Sequence, residues 1–356
     1  MAIFQYKKIA SANRLLIAIS ISLVVLFLNV IPADARRFAE GPVKLTIYPA
    51  KAGELEKKYL LMVKAEDQID GDAVPLYEQA INSIPKDFNQ EQISEWLKLP
   101  LGQFPQEQAE EALQKYLESM QLVVRAARCK ECNWPEWKPG NETGDLGVYR
   151  KLAYILGLWA RLEISRGGYE GAAIAMRTAF VMARDLGQAP TIIHTLVGAA
   201  VGGVMCIELE QYLQGQDSPN LYKTIADMPR PFVDVEKAIE NEKKVDLGSV
   251  ADESMREQIA KQNESSYERV RLISKRLDNN LNGLQCVEAV RHYAATHAGQ
   301  LPQALGDIKD VEIPNDLMSG KAFEYRRTAT GATLQSAIPE GGNERDAVHY
   351  EIVLKK

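Results

Sequence analysis

Apolar residues recur along most of this chain with the spacing of an α-helix. Side chains three and four positions apart, such as Leu113, Tyr116 and Leu117, form stripes that one face of a helix would bury. Prolines and glycines interrupt these stripes and mark the turns between helices. The pattern predicts helices at 73–84, 89–98, 105–127, 148–166, 169–186 and 191–213. We therefore expect a mostly α-helical fold built from antiparallel helical hairpins.

The last of these helices, 191–213, is the most apolar segment of the body. It contains Gly198 and Gly202, which lie four residues apart and hence on one face, where another backbone can approach closely. His194 and Thr195 interrupt an apolar run that is too short to cross a bilayer comfortably. We therefore expect a buried central helix rather than a membrane span.

Period-two alternation appears only near the two ends of the body. Val43, Leu45 and Ile47 alternate with polar residues and predict a short strand. After a helix at 284–298, three further alternating runs predict one helix packed on a three-stranded antiparallel sheet, which is a small α+β domain. The three runs are 322–328, 332–338 and 348–354.

The N-terminus has the three-part layout of a secretory signal peptide. Basic residues at 7–14 precede a largely apolar run at 15–28, and Ala33-Asp34-Ala35 supplies the small residues that a signal peptidase reads before Arg36. An uncleaved membrane anchor formed by residues 15–31 is the alternative. Both interpretations place the body outside the cytoplasm, in the periplasm or attached to the cell envelope.

These features divide the chain into four predicted parts. The parts are a signal peptide or N-terminal anchor at 1–35, a helical body with a short strand at 36–232, a charged helical arm at 233–280, and the α+β domain at 281–356. The arm carries mixed charges at helical spacing, which indicates solvated helix faces.

Composition narrows the functional classes. The chain is 46% hydrophobic and 25% charged, as is usual for a globular protein, and its net charge of −6 becomes about −8 without residues 1–35. Nucleic-acid binding needs clustered basic residues, so this acidic body argues against such a partner. We expect other envelope proteins as partners, no cofactor, and membrane contact only through an uncleaved N-terminal segment.

Cys129 and Cys132 form a C-x-x-C pair that could close a local disulfide in an exported protein. Two reduced structural thiols, a redox pair or a metal site are the alternatives. A metal site would need two further ligands, and the sequence has no second C-x-x-C or H-x-x-x-H motif to supply them.

The candidate site residues are few, because the usual catalytic motifs are missing from the sequence. Trp134 and Trp137 lie in a proline-containing loop, where they either fill a groove between helices or form an exposed ligand surface. Arg161 and His194 are the polar side chains that could line the same groove or ligand surface as the two tryptophans. His194 lies on an apolar helix, where a structural histidine is the plainer interpretation.

Three resemblances accompany these patterns. Gly167, Tyr169, Ala172 and Ala179 fall on the turn and close-packing positions of a tetratricopeptide repeat, which implies TPR-like packing of one hairpin. Blocks such as 71–77, 96–101 and 183–191 resemble exported proteins of planctomycete-type bacteria, a group that implies export but no activity. The segment 284–338, with Gly299-Gln300-Leu301-Pro302 and Ser319-Gly320-Lys321, is similar to the end of type II secretion pseudopilins and implies a similar fold.

Together these observations predict an exported cell-envelope protein that acts as a helical protein-interaction or scaffold module. One alternative is an enzyme whose active-site residues are scattered along the sequence. The other alternative is an accessory, pseudopilin-like component of a secretion system.

Overall fold

The computed structural model describes residues 41–53, 55–136, 146–248 and 253–355. Within these residues the chain forms ten α-helices and six β-strands, so the predicted mostly α-helical class is confirmed. The predicted signal peptide at 1–35 and the alternative anchor at 15–31 lie outside the described residues. The helices are α1 (Ala73–Asn82), α2 (Gln90–Lys98), α3 (Gln106–Gln114), α4 (Leu117–Ala126), α5 (Gly147–Ser165), α6 (Tyr169–Gly187), α7 (Ile192–Tyr212), α8 (Tyr222–Ala226), α9 (Glu236–Gly248) and α10 (Glu253–Thr296).

Local chemistry explains where several helices begin. The side chain of Asp72 accepts a hydrogen bond from the Val74 N–H at the start of α1, and Asn89 accepts one from Gln92 at the start of α2.

One helix predicted at 105–127 is instead two, α3 and α4. The break occurs at Tyr116, which leaves helical geometry and packs its ring edge-on against Phe88.

The centre of the fold is α7, which packs against α5, α6 and α10. Two glycines permit this close approach. A Cβ atom at Gly198 would lie 2.5 Å from the backbone oxygen of Ala183 in α6, and one at Gly202 would lie 2.7 Å from the side chain of Leu277 in α10. Among the described residues, α7 alone combines the length and apolarity of a membrane span, and 67% of its most apolar window is buried inside the protein.

The sheet near the C-terminus differs from the prediction in its number of strands. The six strands are β1 (Val43–Ile47), β2 (Ile69–Asp72), β3 (Cys129–Glu131), β4 (Glu324–Arg327), β5 (Ala332–Gln335) and β6 (His349–Leu354). β4, β5 and β6 pair antiparallel as expected, but β1 joins β6 in parallel, giving a four-stranded sheet in the order β1-β6-β5-β4. The three-stranded prediction was wrong because β1 must bury Val43, Leu45 and Ile47, and sequence distance hid the partner strand.

The long helix α10 connects the parts that the sequence analysis divided. It has 44 residues, and the boundary predicted between 280 and 281 falls inside it. Its C-terminal half packs under the sheet, where Gly283 lies beside Val348 and Tyr350. Because β1 also belongs to this sheet, both ends of the described chain are built into one layer.

The contact at Gly198 gives a test of this packing. Gly198→Ala should lower the free energy of unfolding by about 2 kcal/mol, because the clash with a backbone oxygen outweighs the gain of about 1 kcal/mol in helix propensity. Gly102→Ala is the control, since nothing lies within 4 Å of its added Cβ. Urea unfolding of both variants checks the prediction, and equal stabilities would contradict it.

Candidate functional site

The structure brings together two of the four predicted site residues. Trp134 packs against His194 with their ring centroids 5.2 Å apart. Arg161 instead pairs with Glu208, which follows His194 by 14 residues on α7, a distance of about 21 Å along the helix axis. Trp137 lies outside the described residues. The described residues therefore contain two separate candidate sites.

The loop that carries Trp134 is fixed by a small two-stranded sheet. β3 pairs in parallel with β2, although the alternation in the sequence predicted strands only near the two ends of the body. The side chain of Asp72 then accepts a hydrogen bond from the Asn133 N–H, and the Trp134 indole donates one of 2.7 Å to the backbone oxygen of Asp185. These bonds hold the indole among α5, α6 and α7.

The side chains around the indole form what we name the Trp134 cluster: Tyr77, Cys132, Trp134, Tyr149, Asp185 and His194. Tyr77 donates a buried 2.6 Å hydrogen bond to the Asp185 carboxyl group. The Thr191 hydroxyl lies 2.7 Å from Nδ1 of His194, so that ring nitrogen is already occupied. The cluster is thus a hydrogen-bonded and aromatic contact between helices.

Burial disfavours the charged forms of the ionisable members of this cluster. It raises the pKa of Asp185 to about 6, against the hydrogen bond from Tyr77, and lowers the pKa of His194 to about 4. Burial, followed by the charges of Asp185 and Asp72, raises the pKa of Cys132 well above its ordinary value. A thiol nucleophile needs a lowered pKa, so this environment disfavours thiol chemistry at Cys132.

Cys129 and Cys132 are free thiols in the structure. The structure does not contain the local disulfide between them, which stays a prediction. Within the described parts of the chain, no group of three or more His, Cys, Asp and Glu side chains is placed to hold a metal ion.

A second site, which we name the α2–α7 groove, is a cavity of about 610 Å³ open to solvent. Its walls come from the end of α2 with the segment after it, from the C-terminal half of α7, and from β1. Its lining is part apolar and part polar. The lining residues are Lys44, Ser94, Glu95, Leu97, Lys98, Leu99, Pro100, Leu101, Tyr154, Val204, Ile207, Glu208, Gln211 and Gln214.

The floor of the groove rests on a buried ion pair. Arg161 binds Glu208 with two hydrogen bonds, 2.7 Å from Nε to Oε2 and 2.9 Å from Nη2 to Oε1, and each side chain is only 1% exposed. Arg161 also donates a 3.1 Å hydrogen bond to the backbone oxygen of Leu99. This last bond fixes one wall of the groove to its floor, so Arg161 supports the groove from below.

Two glutamine side chains face the groove beside this pair. Gln214 accepts a 3.0 Å hydrogen bond from the Thr46 N–H and donates one to the backbone oxygen of Glu210. Gln211 is only 8% exposed, yet among the described residues its carboxamide has no hydrogen-bond partner. The Gln211 amide is not among the fully buried, unpaired polar atoms of the described residues, so it reaches solvent at the lining of the groove and is available to a ligand.

Sequence reasoning missed the groove, although one signal pointed to it. Glu208, Glu210 and Gln211 stand in the most apolar helix of the chain, where buried polar groups need partners from other elements. The sequence analysis predicted Arg161 as a site residue but could not assign Glu208 as its partner. The two lie 47 residues apart on different helices.

No protein family, curated protein or solved structure matches this chain. The resemblances to tetratricopeptide repeats, to exported planctomycete-type proteins and to pseudopilins therefore stay predictions.

Asp185 should make stability depend on pH in a defined direction. Its pKa in the folded protein is about 6 against an ordinary value of 3.8, so its ionisation destabilises the fold as the pH rises through that interval. Asp185→Asn should therefore gain up to about 3 kcal/mol of stability relative to the wild type between pH 4 and pH 7. His194 titrates in both proteins, so its opposite contribution largely cancels in the comparison.

Urea unfolding at several pH values measures this difference. Asp227→Asn, at an exposed carboxylate on the surface, is the control for the loss of one carboxyl group. A difference for Asp185→Asn that does not change with pH would contradict the prediction.

The losses of stability caused by substituting Arg161 and Glu208 should not be additive. Arg161→Met should cost about 3–5 kcal/mol, because it leaves the Glu208 carboxylate buried without its partner. The double variant Arg161→Met/Glu208→Leu should lose less than the sum of the single losses, since no buried charge remains. Arg166→Met removes an exposed pair with Glu110 and should cost under about 1 kcal/mol. Denaturant unfolding tests all three values, and additive losses would refute the coupling.

Proposed function

We propose that this chain is an exported protein of the cell envelope that binds another protein through the α2–α7 groove. The observation that carries the proposal is the Gln211 carboxamide, which is nearly buried, lines the groove and has no partner among the described residues. A bound protein segment would replace the solvent at this amide with its own hydrogen bonds.

The charges around the groove favour a ligand without net charge. Glu208 is neutralised by Arg161, and Lys98 lies 2.5 Å from Glu95. Lys44 lies 3.8 Å from Glu351 on the neighbouring strand. With its charges balanced in this way, the groove presents amide groups and apolar side chains. This combination suits a polypeptide segment better than a phosphate or a free carboxylate.

Export is supported by the N-terminal sequence. Residues 1–35 have the composition of a signal peptide, with residues 15–31 as an anchor if no cleavage occurs. The body that follows is acidic and gives nucleic acid no basic surface in its composition. The proposed partner is therefore an envelope protein, reached either in solution or at the membrane.

TPR-like packing of α5 and α6 belongs to the same proposal. The two helices pack together, and the Gly167 turn between them has a φ of +72°, which glycine adopts without strain. Gly168 donates a 2.8 Å hydrogen bond to the backbone oxygen of Glu163 and closes the turn. Paired helices of this kind are a common framework for protein-binding surfaces.

The two alternative functions have weaker support. In the Trp134 cluster, Cys132 is held in its protonated form and His194 is neutral near pH 7, so neither is prepared for nucleophilic or acid–base work. For a secretion-system component, a sheet edge open to strand addition would be the main support. The charged side chains of Glu324, Arg326 and Arg327 oppose pairing at the β4 edge, which leaves the β1 edge beside the groove as the one that such a component could use.

Site-specific photocrosslinking in cells tests the proposed function. A benzophenone amino acid at Ser94, on the groove wall, should give a covalent adduct with one envelope protein, and Gln211→Leu should weaken it at least several-fold. The same amino acid at Arg326 is the control, since it lies at the opposite edge of the sheet, about 14 Å from β1 across three strand spacings. Equal adducts from both positions, or none from Ser94, would contradict the proposal.

A further inference from the structure

One wall of the α2–α7 groove is the free edge of a β-sheet. β1 is the first strand in the order β1-β6-β5-β4, so it pairs with β6 on one side only. Its other side faces the groove, because Lys44 belongs to the lining. Gln214, which accepts the hydrogen bond of the Thr46 N–H, belongs to the lining as well. The groove therefore places backbone groups, as well as side chains, within reach of a ligand.

The pairing register shows which backbone groups are free. In a strand, the N–H and C=O groups of successive residues point alternately to the two sides. The Ile47 oxygen accepts a hydrogen bond from Lys355, beyond the end of β6, so Val43, Leu45 and Ile47 direct their backbone groups to β6. Lys44 and Thr46 must direct theirs away from β6, toward the groove.

The side chain of Gln214 already uses part of this edge. Its Oε1 atom accepts the hydrogen bond of the Thr46 N–H at 3.0 Å, as the carbonyl group of an added strand would. The N–H and C=O of Lys44 and the C=O of Thr46 have no hydrogen-bond partner within the described chain. One donor and two acceptors of the β1 backbone are thus free on the side of the strand that faces the groove, whose lining also contains Gln211.

We propose that the α2–α7 groove binds an extended peptide segment of the partner protein, which adds as a fifth strand to the edge of β1. This inference rests on the proposed function and specifies its mode. The added strand pairs with Lys44 and Thr46, takes the Thr46 N–H from Gln214, and releases that glutamine to join Gln211 in binding the strand's outer amides.

The walls define the chemistry of the added strand. Side chains on one of its faces would meet Leu97, Leu99 and Leu101, so we expect small or apolar residues at every second position. The balanced ion pairs of the groove favour uncharged residues elsewhere in the segment. The partner is thus an apolar, strand-forming stretch of sequence rather than an amphipathic helix.

The opposite edge of the sheet provides a built-in comparison. Thr328 donates a hydrogen bond to Gly331, and with the antiparallel register this directs the backbone groups of Tyr325 and Arg327 away from β5. The β4 edge therefore also has free backbone groups, but charged side chains surround them. Strand addition should discriminate between these two edges.

The first experiment uses a phage-displayed library of random dodecapeptides as the probe, selected against the full chain without residues 1–35. The tightest selected peptide is then synthesised with one N-methylated residue at a time. Strand addition predicts that affinity falls about tenfold at alternate positions, whose N–H groups pair with β1, and changes little at the positions between. Loss of affinity at helical spacing, or nowhere, would overturn strand addition.

A second experiment compares the two edges. Lys44→Pro removes an N–H that faces the groove, and Arg327→Pro removes the equivalent outward N–H of β4; prolines are tolerated at such edge positions. We expect about tenfold weaker peptide binding for Lys44→Pro and unchanged binding for Arg327→Pro, with circular dichroism confirming both folds. Equal binding by the two variants would overturn the inference, and the N-methyl series decides the question if either variant misfolds.

The outcomes separate the mode from the function. If the selected peptides bind and Gln211→Leu weakens them, but N-methylation shows no alternation, strand addition is wrong and the groove remains a protein-binding site. If no selected peptide is sensitive to Gln211→Leu, the proposed function fails as well. If the protein forms concentration-dependent dimers and Lys44→Pro abolishes them, the occupant of the groove is a second copy of this chain. That result would overturn the proposal that a segment of another protein binds there.

Discussion

The burial of α7 is the constraint on which the rest of the structure depends. This helix lies inside the body, so each polar group on it must find a partner from another element or pay for lost hydration. Arg161 comes from α5 to neutralise Glu208, and Tyr350 comes from β6 to donate to Glu210. These contacts pair the buried acidic groups of α7, and the second one joins the helical body to the C-terminal sheet.

The same constraint separates the two candidate sites. At the N-terminal end of α7, His194 is enclosed by Trp134 and Thr191, and its surroundings leave it neutral and occupied. At the C-terminal end, the enclosing elements stop short, and the Gln211 carboxamide is left without a partner among the described residues. An amide that faces an open groove without a protein partner is available to a ligand, whereas the ring nitrogen Nδ1 of His194 already has one in Thr191.

Some features of the fold could be predicted because they depend on short-range physics. The helix pattern, the cap at Asp72 and the alternation of Val43, Leu45 and Ile47 follow from side-chain period and local hydrogen bonding. The split at Tyr116 could not be predicted, because it depends on a contact with Phe88 from another segment. The role of Arg161 could not be predicted either, because it depends on Glu208 from another helix. Trp134 and His194 were recognisable as candidates from their residue types and local sequence alone.

The sequence by itself determined the helical class and the existence of strands near both ends of the body, since periodicity is a property of neighbouring residues. Only the tertiary structure decided that β1 pairs with β6 across about 300 residues, and that the free edge of β1 meets Gln211 and Gln214 in one groove. Pairings over such a separation are set by which surfaces can be buried together, and a linear pattern does not contain that information.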